Sequence, residues 1–441
     1  MNSSNDLEFG LVLLILLGAM GFFLVAATER HRETIRFQRR LFLTALFARF
    51  IFSILIYQTD LVRMLGDEDS SGWYAGVGLM RQWTQKGVSI LDLPQVLSGA
   101  FEGHHRGYGY LTGLLFYLTG AAGRLPAAVL NCFFGAVTVV FAYRIARTLF
   151  PERVAYWTGW MTCLAPTLII WSSQTVKEPV VIMIEVIALY GCVQLKRGGF
   201  SIRYLALCGL AIILVLPFRF YAAYIVGAAV LLSLFLPQLG RRKMTLWSGL
   251  GVAALVIPLV LSTGILAQYE REIQQFDVER ISTFRKNVST GSMGTGSGVS
   301  TDYDMNTATG FGLATLTGSA YFLLAPFPWQ LGGGSARMLL TTPEVFAWWF
   351  LFFFGVLPGL WWLLRHRFSD IQPLLFFTFG LGLLYSMMFG NVGLAYRQRA
   401  QLLPFLLIFA SVGLELRRQR REAARQARRT LRQPVPLRVP N

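Results

Sequence analysis

Three acidic residues, Asp67, Glu68 and Asp69, stand together in GDEDSSGWY (66–74), directly after LFLTALFARFIFSILIY (41–57), a stretch apolar enough for a membrane helix. A carboxylate cluster where a chain leaves the bilayer is either a solvated turn or a place for proton-transfer chemistry. A second constellation, WSSQTVKEPVV (171–181), sets Lys177 beside Glu178 at the end of an apolar run, with Pro179 in the first turn of the next helix. A cation next to a carboxylate at a membrane boundary suits a phosphate headgroup with a reacting hydroxyl; it equally suits an ordinary helix cap. PFRFYAAY (217–224) brings Arg219 to another outward turn, and GNVGLAYRQR (390–399) brings Arg397 and Arg399 to a third. Together with Lys177 these fix positive charge at three outer turns, and the planar fork of arginine bonds two phosphate oxygens at once. The competing reading is that these arginines serve unrelated loops.

Two ionisable residues, Arg49 and Glu185, fall inside apolar segments. Placing a charge there costs at least ~2.5 kcal/mol on insertion scales, so each needs a reason. For Arg49 this is a carboxylate or lipid-phosphate partner; an intrabundle salt bridge or snorkelling would serve for either. His104 and His105 in EGHHRGYGY are the only adjacent histidines, with Glu102 the only local carboxylate. That is too few ligands to indicate a metal, and a polar, hydrogen-bonding loop role is expected for His105. No cofactor is indicated.

The elements that must carry these residues follow from composition. The 441 residues are 54% hydrophobic and 14% charged, with a mean hydropathy of +0.51. Apolar runs repeatedly approach the ~17–25 residues that cross a hydrocarbon core. The expected fold is all-α: a polytopic transmembrane helical bundle of about eleven spans, with two large external loops carrying interfacial helices. The spans fall near 9–27, 41–57, 127–147, 154–172, 179–194, 204–218, 221–237, 245–263, 345–364, 371–389 and 401–416. Cys132, Cys163, Cys192 and Cys208 all lie in apolar runs without metal-type spacing, which argues against a disulfide framework or a zinc site. MNSSNDLEFG lacks the basic region of a signal peptide, so the first apolar segment is expected to be a retained span.

The net charge of +17 reads as a topology signal rather than a nucleic-acid footprint. The basic connections TERHRETIRFQRR, the Arg144/Arg147/Arg153 turn, KRGGFSIR, GRRKM, RHR and the tail with nine arginines between Arg417 and Arg438 fall at every second boundary. Placed inside, they give a cytoplasmic side with 25 Lys/Arg against 6 Asp/Glu and an external side with 14 against 16. Chemistry that needs carboxylates is therefore expected on the external, periplasmic face of the inner membrane, with the N-terminus external and the C-terminus cytoplasmic. This holds if YLTGLLFYLTGAA (110–122) and LATLTGSAYFLLAPFPW (313–329) are re-entrant or interfacial. The chain then divides into 1–57 (two spans), 58–126 (external acidic loop with juxtamembrane helices), 127–263 (six-span core bundle), 264–344 (external flexible loop), 345–416 (three spans) and 417–441 (basic cytoplasmic tail). NVSTGSMGTGSGVSTDYDMNTATG (287–310) has no composition for a core and is expected to be a flexible loop. The tail is expected to meet anionic headgroups.

The order of these features resembles the GT-C glycosyltransferases that use polyprenyl-phosphate sugars, particularly the protein O-mannosyltransferase and aminoarabinose transferase branch, glycosyltransferase family 39. The resemblance rests on GDEDSSGWY after an early span, RGYGYLTGLLFYLTG as a juxtamembrane aromatic helix, RLPAAVLNCFFGAVTVVFAYRIARTLF (124–150) and APTLIIWSSQTVKEP. It covers about residues 58–240, with an additional span before the acidic loop. It implies a donor sugar on a polyprenyl phosphate and an acceptor hydroxyl on a glycan, lipid or protein, approaching from the external side. It further implies inversion at the anomeric carbon by general-base catalysis, with the leaving phosphate stabilised by cations. Carried onto this sequence, Asp67 or Asp69 is the base and Glu178 a second carboxylate that orients the acceptor. Lys177, Arg219 and Arg397 bind phosphate, while Trp73 and Tyr74 offer aromatic surface to a sugar or an isoprenoid, or else anchor the interface. An O-antigen-type polymerase or ligase would share the external arginines. A lipid or solute transporter is a further alternative, because Pro166, Pro217, Pro258 and Pro358 interrupt spans, although the two halves show no self-similarity.

Overall fold

The computed structural model describes residues 3–29, 31–59, 61, 70–102, 105–236, 247, 249–254, 278–293, 298–299, 303–331 and 336–432. Asp67, Glu68, Asp69 and His104 lie outside the described residues, as does most of the expected span at 245–263. Among the described residues the chain is helical, with one isolated bridge between Gly298 and Asn391.

Among the described residues, seven helices are long and apolar enough to cross a membrane: Asp6–Ala27, Arg32–Gln58, Arg124–Leu149, Glu178–Gly198, Thr342–His366, Phe368–Met387 and Val392–Arg428. Ile202–Val215, Phe220–Phe235 and Ala308–Leu324 are apolar but shorter. The expected polytopic all-α architecture is borne out. One span differs from expectation: the segment 154–172 is two helices, because Pro166 has no amide to donate and holds Ala165 extended, at φ −59° and ψ 115°.

In chain order, the first elements are α1 (Ser3–Ala27), α2 (Arg32–Gln58), α3 (Ser70–Gln85), α4 (Gly107–Thr119) and α5 (Arg124–Leu149). The middle of the chain forms α6 (Glu152–Leu164), α7 (Pro166–Ser172), α8 (Glu178–Gly198), α9 (Ile202–Val215) and α10 (Phe220–Phe235). Then follow α11 (Val278–Met293), α12 (Ala308–Leu324), α13 (Ala336–Leu351), α14 (Leu357–His366), α15 (Phe368–Met387) and α16 (Val392–Arg432). Helix α11 runs through NVSTGSM, the first part of the stretch expected to be a loop, and Ser289 there is buried. Arg285 on α11 ties it down by donating to the carbonyls of Ala314 (3.2 Å) and Met387 (3.3 Å).

The core centres on α5 and α8, whose apolar faces are covered by α2, α9 and α1. Helix α1 is pinned to α5 at both ends. Near its start, the Asp6 carboxylate accepts the backbone amide of Arg124 (3.2 Å), one of the amides a helix N-terminus leaves open. Beyond its end, Glu29 pairs with Arg147 (2.8 Å). Buried Arg144 donates to Gln38 (2.8 Å) and to Thr28 (2.7 Å). The additional N-terminal span thus packs as part of the bundle.

Helices α3 and α4 approach closely where Gly72 and Gly76 face Tyr108 and Thr112, and pack Trp83 against Tyr110 and Tyr117 further along. A Cβ on Gly76 would lie 2.3 Å from the Thr112 hydroxyl, and one on Gly72 would lie 2.3 Å from the Tyr108 ring. Thr112 donates to the Gly72 carbonyl at 3.0 Å. On the far side of the bundle α16 makes a similar close approach to α14, where a Cβ on Gly359 would fall 2.1 Å from the Phe409 carbonyl oxygen.

Candidate functional site

The turn between α7 and α8, residues 173–177, is built by its neighbours. Asn131 on α5 donates to the carbonyls of Gln174 (2.6 Å) and Val176 (2.7 Å) and to the Tyr108 hydroxyl (2.9 Å). From α2, Ser53 donates to the Ser173 carbonyl (2.8 Å), and the Tyr57 hydroxyl accepts the Thr175 amide (3.1 Å). Of the elements that flank the acidic triplet, the end of α2 is tied to this turn directly through Tyr57, and α3 only indirectly, by packing Gly72 against the ring of Tyr108 on α4. The turn opens α8 with Lys177 half-buried and Glu178 fully buried.

A buried carboxylate needs partners, and Glu178 has two. Its Oε1 accepts from Arg219 Nη2 at 2.7 Å, and its Oε2 accepts from Arg397 Nη2 at 2.8 Å. The Glu178 side chain is 1% exposed, Arg219 6% and Arg397 15%, so the arrangement opens toward Arg397. The second Nη of Arg219 donates to the Tyr385 hydroxyl (2.8 Å) and to Gln401 Oε1, which also accepts from Tyr385. Gln401 in turn donates to Glu185 Oε1 at 2.8 Å. Glu185, two turns beyond Glu178 on α8, thus closes the inner end of a continuous network from Arg397 to Glu185. Among the described residues, Glu185 Oε2 has no hydrogen-bond partner.

The elements fix each arginine. Arg219 precedes α10 at a turn held from outside: His105 contacts the Phe218 carbonyl (2.9 Å) through Nδ1, and the Gly107 amide donates to the Pro217 carbonyl (2.9 Å). His105 has a positive φ of 57°. Its expected hydrogen-bonding role in the loop is met by bracing the turn that carries Arg219. Arg397 lies over the Trp171 ring at 5.4 Å, which adds a cation–π contact to its ion pair. A buried ion pair repays its desolvation only when its hydrogen bonds are satisfied. Here both oxygens of Glu178 are engaged by guanidinium groups. Arg219, Arg397 and adjacent Lys177 thus gather around one carboxylate at the half-open end.

Other residues expected at a site stand elsewhere. Arg49 donates to the carbonyls of Ala45 (3.0 Å), Cys163 (3.2 Å) and Thr162 (3.5 Å), the last two being the acceptors that the break at Pro166 leaves open. From the opposite side, the Glu344 carboxylate accepts the freed Thr167 amide (2.8 Å) and the Thr167 hydroxyl (2.5 Å). A cation and an anion from distant helices thus patch one helix break. Arg399 is buried, 3% exposed, and donates to the carbonyls of Leu323 (2.9 Å) and Ala325 (3.0 Å). Trp348 and Trp349 cap the same helix end, donating to Leu323 and Leu324 at 2.7 Å each. Trp73 stacks edge-on with Tyr74 and lies under Arg124, 5.2 Å from its ring centre, while Tyr74 is 59% exposed. No cluster of metal-ligating side chains occurs among the described residues.

Sequence reasoning missed Tyr385, Gln401, Asn131 and Glu344. Only Gln401 left a signal, since it lies four residues after Arg397, on the same helix face.

Residues 106–264, which hold Lys177, Glu178 and Arg219, match the family described as dolichyl-phosphate-mannose-protein mannosyltransferase. The resemblance read from the motifs is thus borne out over that segment. No curated protein sequence matches the chain significantly. The solved structures it is similar to include ArnT from Cupriavidus metallidurans bound to undecaprenyl phosphate, at 15% identity over 68% of this chain and 48% of that one, with a TM-score of 0.41. A second is the oligosaccharyltransferase AglB from Archaeoglobus fulgidus in complex with an inhibitory peptide and a dolichol-phosphate, at 14% identity, 90% and 52% coverage and a TM-score of 0.45. The apo form of the Archaeoglobus fulgidus oligosaccharyltransferase aligns at 13% identity, 89% and 52% coverage and a TM-score of 0.43. The chain spans about half the length of these proteins.

Proposed function

We propose that this chain is an integral membrane glycosyltransferase that moves a sugar from a polyprenyl phosphate to an acceptor hydroxyl at the external membrane boundary. The observation that carries the reading is the Arg219–Glu178–Arg397 centre, two of whose residues lie in the family-matched segment. Two guanidinium groups held on one carboxylate, with a lysine beside them, form a rigid cationic cradle at the end of apolar helices. That is the chemistry a lipid-linked phosphate needs: charge on the leaving oxygens and hydrocarbon around the tail.

In the proposed reaction the acceptor oxygen attacks the anomeric carbon and the carbon–oxygen bond to phosphate breaks. The electron pair leaves with the polyprenyl phosphate, and the hydroxyl proton passes to a carboxylate, for which Asp67 and Asp69 are the proposed candidates. The anomeric configuration inverts. Glu178 acts in this scheme by aligning both arginines, since each of its oxygens is already bonded to one. Lys177 adds charge beside them. What favours Asp67 or Asp69 is the anchoring of the preceding helix end to the turn before Glu178 through Tyr57, with the following helix α3 packed by Gly72 against Tyr108 of α4, which Asn131 joins to the same turn.

The test uses the full chain in lipid nanodiscs with undecaprenyl phosphate as probe. Native mass spectrometry is expected to show binding that weakens about tenfold or more in Arg397→Ala, the magnitude of a lost charge-assisted contact. Equal binding by both proteins overturns the assignment of the arginine centre to the donor phosphate.

A further inference from the structure

A cavity of about 280 Å³ runs between α6, α13 and α16. Its walls are apolar, with Trp157, Trp160, Met161, Leu403 and Leu407 along its length, and among the described residues Glu344 is the only charged one lining it. Glu344 stands at the end marked by Pro166. Its Oε1 accepts twice from Thr167, while its Oε2 accepts from the Tyr396 hydroxyl and keeps room for a further donor. The charged end also points toward the arginine centre. Thr167 and Trp171 are one turn apart on α7, Tyr396 and Arg397 are neighbours on α16, and Arg397 lies over Trp171.

An apolar trough ending in a carboxylate selects its occupant by charge. A phosphate head is repelled by Glu344 and drawn to Arg219 and Arg397. A second cation is disfavoured, because the Arg399 guanidinium already lies over the ring of Tyr396 at 5.1 Å, and Tyr396 is bonded to the Glu344 carboxylate. What remains is a neutral head rich in hydroxyl donors on a hydrocarbon tail. We propose that this groove seats the alkyl chain of a glycolipid acceptor, with a head-group hydroxyl donating to Glu344 about one helical turn from the arginine centre.

The proposal rests on the glycosyl-transfer reading for its purpose, but its test reads occupancy and not turnover. The probe is dodecyl glucoside bearing a diazirine in its tail, applied to the full chain in phosphatidylcholine nanodiscs, with a diazirine farnesyl phosphate in parallel. Photolabelling by the glucoside is expected on Trp157–Leu164 and Leu403–Leu407. Ala347 is exposed at the groove wall. Ala347→Trp is expected to cut the glucoside labelling at least fivefold and leave farnesyl phosphate labelling unchanged. Glu344→Gln keeps an acceptor for Thr167 and is expected to weaken glucoside labelling about tenfold.

Loss of farnesyl phosphate labelling in Ala347→Trp would assign the groove to the donor and overturn the proposal. Absence of glucoside label from the groove, or equal competition by phosphatidylethanolamine, overturns it as well. A chain that labels as expected but transfers no sugar leaves the groove standing and removes the transferase reading. Sugar transfer by a chain with an unlabelled groove removes only the groove.

Discussion

Arg219 and Glu178 meet at 2.7 Å across two helix starts, both side chains almost fully buried. Neither would be tolerable there alone. Breaking a buried pair from one side typically costs about 3–5 kcal/mol, because the remaining charge keeps its desolvation penalty. Glu178→Gln is therefore expected to lower the thermal unfolding midpoint markedly and to weaken undecaprenyl phosphate binding. An unchanged melting profile would mean that the ion pair is solvated in the working protein.

Arg397→Lys separates charge from geometry. Lysine keeps the charge but has no planar fork, so it cannot hold Glu178 and a phosphate in one plane. We expect donor binding to fall by roughly tenfold with stability nearly unchanged. Binding equal to wild type would show that a point charge suffices there.

The general base is tested by Asp67→Asn and Asp69→Asn, made singly and together. One single variant should lose about 10²- to 10⁴-fold in transfer rate while still binding undecaprenyl phosphate. Full activity in the double variant would remove both aspartates from the reaction.

Gln401→Ala takes one acceptor from Arg219, which keeps Glu178 and Tyr385, and removes the donor to Glu185. The expected cost is about 1–3 kcal/mol in stability, from polar groups left unsatisfied. Tyr385→Phe removes two hydrogen bonds, one accepted from the Arg219 guanidinium and one donated to Gln401, and should cost a similar amount, about 1–3 kcal/mol. If both variants melt like wild type, the inner half of the network contributes nothing to stability.

Arg49→Met distinguishes its two readings. As a donor to the open carbonyls of Thr162 and Cys163 it should matter to the melting temperature and not to donor binding. A selective loss of undecaprenyl phosphate binding would restore a substrate-binding role.

Much of this architecture is legible in the sequence, because hydrocarbon demands long apolar helices and marks their ends with charge. Glu178, Arg219 and Arg397 were legible for the same reason: charges beside apolar runs at turns on one side stand out. What the sequence hides is which charges meet. Arg399 differs from Arg397 by two positions, yet helical geometry turns it some 200° away, toward the end of α12 and not toward Glu178. Arg49 looked like a lone intramembrane charge because its acceptors are backbone carbonyls over a hundred residues away, exposed only once Pro166 breaks a helix. Tyr385 and Gln401 are neutral, and a neutral polar residue in an apolar run announces its role only when the buried partner is known.

The patch over the Pro166 break also has an order in time. Chains emerge from the ribosome N-terminus first. When α7 appears, Arg49 has already been made and can cover the carbonyls of Thr162 and Cys163, but the carboxylate that receives the Thr167 amide, Glu344, is still 177 residues away. Arg397 follows later again. The break therefore waits half-repaired while the next 177 residues are made, and the cationic cradle closes only with α16. A chain ended before Glu344 would leave the Thr167 amide open and one Glu178 oxygen without its guanidinium.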